Sequence, residues 1–185
     1  MEFLIYLDVC CLNRPFDDQT QERIRLEAEA VLRILVKFQI GDRQLLGSEV
    51  FDDQLENTPE KTRKRQMKLW AALAISKVNI TEQIECRGLE LAELGFKDYD
   101  ALHIACAEVG NADVFLTTDD RMLRLAARHS AMLYRFTLRL IQIDRRGQGA
   151  GSRGKENDLY HSFSEMVLQV RVENPLRWLL EVIND

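Results

Sequence analysis

Five short runs suited to strands recur along this chain, and stretches with helical spacing lie between them. The runs are "FLIYL" (residues 3–7), "QLLGS" (44–48), "KVNI" (77–80), "DVFLTT" (113–118) and "LQVRV" (168–172). Apolar runs this short, bounded by polar and turn residues, read as strands rather than core helices. Strands alternating with helices predict a parallel sheet covered on both faces.

The intervening segments carry their own punctuation. A long amphipathic helix is expected from about Gln21 to Phe38, with Ile24, Ala28, Val31, Leu32 and Leu35 on one face and Gly41 closing it. "SEVFDDQLENTP" reads as a helix starting near Ser48, and Pro59 opens another through "EKTRKRQMKLWAALAI". Thr81 caps a helix that runs to about Leu94 and stops at Gly95. Asp98 is the expected cap of "YDALHIACAEVG", which ends at Gly110. "DDRMLRLAARH" and a terminal helix after Asn174-Pro175 complete the set. "DVCCLNRPFDDQTQ" reads as a loop punctuated by Asn13-Arg14-Pro15.

At 185 residues a single domain is expected over 1–185, with an atypical insertion at about 130–167. There "SAMLYRFTLRLIQI" precedes a glycine-rich stretch that reads as a loop. Residues 135–155 hold six basic residues and one acid, a local charge of +5 on a chain of −5. The global charge therefore does not advertise a polyanion binder, while this segment does. Arg145, Arg146, Arg153 and Lys155 are its RNA-binding candidates, set against a plain dimer-interface reading of the apolar part.

Cys10, Cys11, Cys86 and Cys106 show no metal-ligand or disulfide spacing, so free thiols and a cytoplasmic protein are expected. "MEFLIYLDV" has no basic flank and its apolar run stops at Asp8, so it is not read as a signal peptide. No apolar stretch is long enough for a spanning helix, and no membrane partner is expected.

Four acids stand where these elements change over: Asp8, Glu49, Asp100 and Asp119. In a parallel α/β fold the strand C-termini gather at one edge, where ligands bind. Each acid alone has a plain role as a cap or a first-turn carboxylate. Together, four carboxylates at one edge repel unless a cation lies between them. An all-oxygen set suits Mg²⁺ or Mn²⁺.

"YLDVCCLNRP", Glu49 after a short strand, "YDALHIACA", "FLTTDD" and "VRVENPLRWL" resemble the PIN-domain family over about residues 1–129 and 168–183. The resemblance implies a Rossmann-like three-layer α/β/α sandwich with a mainly parallel five-stranded sheet. It implies a metal-dependent ribonuclease that cleaves single-stranded RNA, often the toxin of a toxin–antitoxin pair. The carried-over catalytic and metal residues are Asp8, Glu49, Asp100 and Asp119. Candidate partners are RNA, an antitoxin and a second copy of the chain. Where family members often have Asn or Ser two residues after the first Asp, this chain has Cys10, so Asn13 and Thr117 are the candidates for orienting water there. Arg14 and Asp120 are further supporting candidates. The alternative is a PIN fold without catalysis that acts through protein or RNA contacts.

His103 reads as a packed helix residue more readily than as a ligand. Lys61, Arg63, Lys64, Arg65 and Lys68 read as a solvated helix face that also suits phosphates. "GQGAGSRG" lacks the strand, helix and Gly-Lys-Ser/Thr of a phosphate loop. A phosphoacceptor receiver domain would need paired acids after the first strand, which "LDVCC" does not supply.

Overall fold

The computed structural model describes residues 3–130, 132–133 and 171–183. Five strands form one sheet: β1 (Leu4–Leu7), β2 (Gln44–Ser48), β3 (Ala74–Val78), β4 (Val114–Leu116) and β5 (Arg171–Glu173). Their order is β3-β2-β1-β4-β5, and every pairing is parallel. The chain builds outward from β1 to β3, then crosses back to place β4 on the other side of β1. The topological switch point therefore lies between β1 and β4, and the crevice outside their C-termini is where such sheets bind ligands. There the Asp8 N–H donates to the Leu116 carbonyl at 2.9 Å and closes the ladder.

Eight helices among the described residues cover this sheet: α1 (Val9–Asn13), α2 (Glu22–Gln39), α3 (Glu49–Glu56), α4 (Lys61–Ala71), α5 (Glu82–Glu93), α6 (Asp98–Val109), α7 (Asp120–Arg128) and α8 (Pro175–Ile183). Ile5, Leu7, Leu45, Val114 and Leu116 pack on one side against α1–α4 and α8. Tyr6, Leu46 and Phe115 pack on the other against α5, α6 and α7. With both faces covered, β1 and β4 are apolar without alternation, which is why they were legible as continuous runs. The result is the expected three-layer α/β/α sandwich. The turn after α6 lies close on the sheet: a Cβ at Gly110 would stand 2.3 Å from Leu46 Cδ2 and 2.8 Å from Val78 Cγ2.

The boundaries correct the sequence reading in three places. Residues 9–16 are not loop but a single helical turn, α1, followed by a 3₁₀ turn over Arg14–Phe16. Asp8 holds the N-cap position of that turn, its side chain reached by the Cys10 N–H at 3.5 Å. β3 spans Ala74–Val78 rather than 77–80, and α4 stops at Ala71 rather than running through Ile75. As an edge strand with Ile75, Ser76 and Lys77 exposed, β3 lacks a buried run's signature, and pairing with β2 overrides the helix propensity of "AALA". Asp98 is the first residue of α6, not its cap; Lys97 holds that position, with no side-chain cap hydrogen bond. The basic stretch 135–155, with Arg145, Arg146, Arg153 and Lys155, lies outside the described residues, as does most of 130–167.

Candidate active site at the switch point

Asp8 follows β1 directly and is only 5% exposed. Its Oδ2 accepts from Thr117 Oγ1 at 2.7 Å and from Cys10 Sγ at 2.9 Å. The thiol and the hydroxyl that share this acceptor also lie 3.2 Å apart. The Thr118 N–H donates to Cys10 Sγ at 3.2 Å, and the Asp119 N–H donates to Thr117 Oγ1 at 3.1 Å. The strand-end "TTD" is thus tied to Asp8 directly through Thr117 and indirectly through the Thr118–Cys10 contact. Asp8 Oδ1 has a single long approach, from the Cys10 N–H at 3.5 Å.

Asp119 caps α7. Its Oδ1 accepts from the backbone N–H of Arg121 at 2.7 Å and of Met122 at 3.1 Å. Its Oδ2 faces Lys97 Nζ at 3.9 Å. Asp100 stands in the first turn of α6, half-buried. Burial first, then the charges of Asp8 and Asp119, push its carboxyl up to about 6, while Lys97 and Arg121 pull the other way. Three carboxylates from β1, β4 and α6 therefore share one electrostatic field.

Glu49 begins α3 at the same sheet edge but is exposed, and its Oε2 accepts from the Ile80 backbone N–H at 2.6 Å. Asp120 turns outward to Arg23, with contacts of 2.8 and 2.5 Å. Asn13 is spent on α1 and α4: its Nδ2 donates to the Val9 carbonyl at 3.2 Å, and Arg63 reaches its Oδ1 at 3.5 Å. Arg14 lies beside the site as a brace. It donates to the Thr118 carbonyl at 3.2 Å and pairs with Asp17 at 3.2 Å and with the buried Glu27 at 2.9 Å. The Glu27 contact is close but poorly aligned for a hydrogen bond, so it acts as charge pairing. Of the supporting candidates, Thr117 alone donates to a site acid.

Sequence reasoning passed over Cys10 as a donor and Lys97 and Arg121 as flanking cations. Their signal was position: each cation lies within three residues of a site acid. It also missed a buried chain behind the acids. Ser48 Oγ meets Tyr6 Oη at 2.6 Å, Tyr6 Oη meets His103 Nδ1 at 2.7 Å, and His103 Nε2 meets Gln54 Oε1 at 2.7 Å. Ser48 also accepts from the Phe51 N–H at 3.0 Å. These contacts fix the proton on His103 Nε2, donating to Gln54, with Tyr6 donating to Nδ1. Burial pushes the imidazole's pKa down, so it stays neutral.

The donor chemistry fits a hard divalent cation. Asp8 Oδ1 and Asp119 Oδ2 each have one long contact, at 3.5 Å and 3.9 Å, and Asp100 is disfavoured as an anion by burial and then by its like-charged neighbours. Among the described residues no three His, Cys, Asp or Glu side chains stand close enough together to hold a metal ion by themselves. Mg²⁺ does not require such a cage: it keeps several waters and takes one or two carboxylates plus substrate phosphate.

An α/β/α sandwich with acids gathered at its switch point defines a class, and the PIN domain family model matches residues 5–128. The chain belongs to the PIN domain family. PIN domains are generally nucleases acting on nucleic acids, and they typically use divalent metal ions. The match covers β1 through α7 and stops short of β5 and α8. No curated protein matches the chain. Among the described residues no helix is long and apolar enough to cross a membrane.

Proposed function

We propose that this protein is a Mg²⁺- or Mn²⁺-dependent endoribonuclease for single-stranded RNA, in the role of a toxin held by an antitoxin partner. The observation that carries the reading is the gathering of Asp8, Asp100 and Asp119 at one sheet edge, where burial first, and then the charges of Asp8 and Asp119, push the Asp100 carboxyl up to about 6. Unpaired RNA is favoured because its backbone can enter a crevice that a duplex cannot. The four free cysteines suit a reducing cytoplasm, and a homodimer is the expected assembly.

Asp8, Asp100 and Asp119 would hold the ion, and Glu49 would complete the set on leaving the Ile80 N–H. When bound, a divalent ion supplies water activation and charge neutralisation at the phosphate. The chain's own part is positioning. Thr117 and Cys10 hold Asp8 by one oxygen and leave the other for the crevice. Arg14 holds the Thr118 carbonyl and so the loop that carries Asp119. No side chain is required as a nucleophile.

The test is cleavage of a panel of single-stranded RNAs with Mg²⁺ or Mn²⁺. Cutting should vanish with EDTA and in Asp8→Asn and Asp100→Asn, and both variants should lose Mn²⁺ binding by calorimetry. Unchanged Mn²⁺ affinity in both would overturn the site assignment. A second reading, a binding module without catalysis, is favoured by the capture of Glu49 at Ile80 and by Cys10 beside the first acid. It takes over when metal-loaded protein cuts none of the RNAs yet binds a partner.

A further inference from the structure

We propose that Lys97 and Arg121 form a phosphate-receiving rim on the acidic site, gripping the RNA backbone beside the bond to be cut. The inference rests on the nuclease reading above.

Both cations stand at the mouths of the helices that carry the acids. Lys97 occupies the N-cap position of α6, three residues before Asp100, and Arg121 is the second residue of α7, two after Asp119. They converge on one turn. Arg121 donates to the Gly95 carbonyl at 2.7 Å, two residues from Lys97. Gly95 holds φ at +98°, a conformation that side chains rarely adopt, so this carbonyl is presented by a turn that glycine makes possible. The turn fastens Arg121 beside the root of Lys97.

Neither cation is used up. Lys97 is 61% exposed and meets Asp119 Oδ2 at 3.9 Å, the outer limit of an ion pair. Its ammonium has three donors, and one distant carboxylate does not satisfy them. Arg121 is exposed and spends one of five guanidinium donors on Gly95. Two other basic residues near the switch point, Arg14 and Arg23, are committed: Arg14 to Asp17, Glu27 and Thr118, and Arg23 to Glu27 and Asp120.

Charge balance gives the rim its purpose. Three carboxylates around a divalent ion leave a net negative site, which repels a phosphodiester. Two rim cations reverse that sign where the substrate enters. Pure neutralisation of the acids would be served better by close, buried pairs. Long, exposed arms anchored at one end suit a mobile anionic ligand.

The experiment measures binding of a fluorescently labelled twelve-nucleotide oligouridine by anisotropy, in an Asp100→Asn background that keeps the RNA intact. Lys97→Gln and Arg121→Gln should each weaken binding several-fold at low salt. Each should make the log–log salt dependence shallower by about 0.7, one phosphate's worth on a single strand. Lys97→Arg and Arg121→Lys should restore most of the slope. With Asp100 present, the Gln variants should raise KM more than they lower kcat, and Mn²⁺ affinity should hold or tighten, because a cation beside the acids has gone. Unchanged RNA affinity and slope in both Gln variants overturns the rim while leaving the nuclease reading intact. Protein that neither cuts nor binds RNA before these changes overturns both. Arg121→Gln gives up a backbone contact, so melting curves accompany each variant; if it melts early, exposed Lys97 decides the question.

Discussion

At the scale of single residues, the site is governed by how each carboxylate's oxygens are divided. Asp8 gives one oxygen to Thr117 and Cys10, while the other has only a long approach from the Cys10 N–H. Thr117→Val keeps the shape and removes a donor to a buried carboxylate, which costs roughly 1–3 kcal/mol. Outer contacts of this kind typically tune metal affinity about 10–100-fold. Thr117→Val should therefore weaken Mn²⁺ binding in calorimetry by about that range, whereas Cys10→Ser, which retains a donor, should change it far less. Asp100 gives a prediction of opposite sign for stability. Its folded pKa is raised to about 6 by burial, Asp8 and Asp119, above the ordinary carboxylate value of 3.8. Stability is thus fully present below the unfolded pKa and is lost as pH rises through about 6. Metal-free Asp100→Asn should melt higher than the unaltered protein at pH 7, and the gap should narrow as pH falls through about 6 and close by about pH 3, below both pKa values. Equal melting temperatures at both pH values would show that Asp100 carries no such strain.

At the scale of elements, the buried chain Ser48–Tyr6–His103–Gln54 joins β2, β1, α6 and α3. Its members lie just before Glu49, two before Asp8 and three after Asp100. It therefore sets the relative placement of the elements that present three of the four acids. Tyr6→Phe removes the hydroxyl and leaves His103 Nδ1 without its donor, at a cost of roughly 1–3 kcal/mol. Urea denaturation should show that loss with an unchanged m-value. A shift under about 0.5 kcal/mol, the scale of a surface substitution, would show that the chain does not hold these elements.

At the scale of the whole molecule, the family match ends at residue 128, yet the fold does not. β5 extends the sheet beside β4, and α8 seats the buried Trp178 and Leu179 in the core beneath α2. Asn174 donates to the buried Glu27 of α2 at 2.8 Å, joining α8's base to the Arg14 brace behind the site. Trp178→Ala should cost about 3–5 kcal/mol, read as an earlier thermal transition. Because the same packing backs the Glu27–Arg14 pair, Mn²⁺ affinity should fall with it. Unimpaired stability would show that α8 is an accessory to the sandwich rather than part of it.

Much of this was written in local pattern. Both-face burial made β1 and β4 continuous apolar runs, Gly95 and Gly110 ended their helices, and Ser48 and Thr81 capped theirs. Strand ends located Asp8 and Asp119, because a parallel sheet brings all its C-termini to one edge. What local pattern could not fix was the aim of side chains that reach across elements. Glu49 lies at the right edge yet bonds the Ile80 N–H, and Arg14 lies near the acids yet braces Thr118. The Cys10 thiol meets a hydroxyl 107 positions away, and Arg121 crosses to Gly95. Periodicity reports which face of an element is buried, since burial is a property of neighbours along one chain. Hydrogen-bond partners and shared charge depend on distances between distant segments, and only the packing of the sandwich sets those.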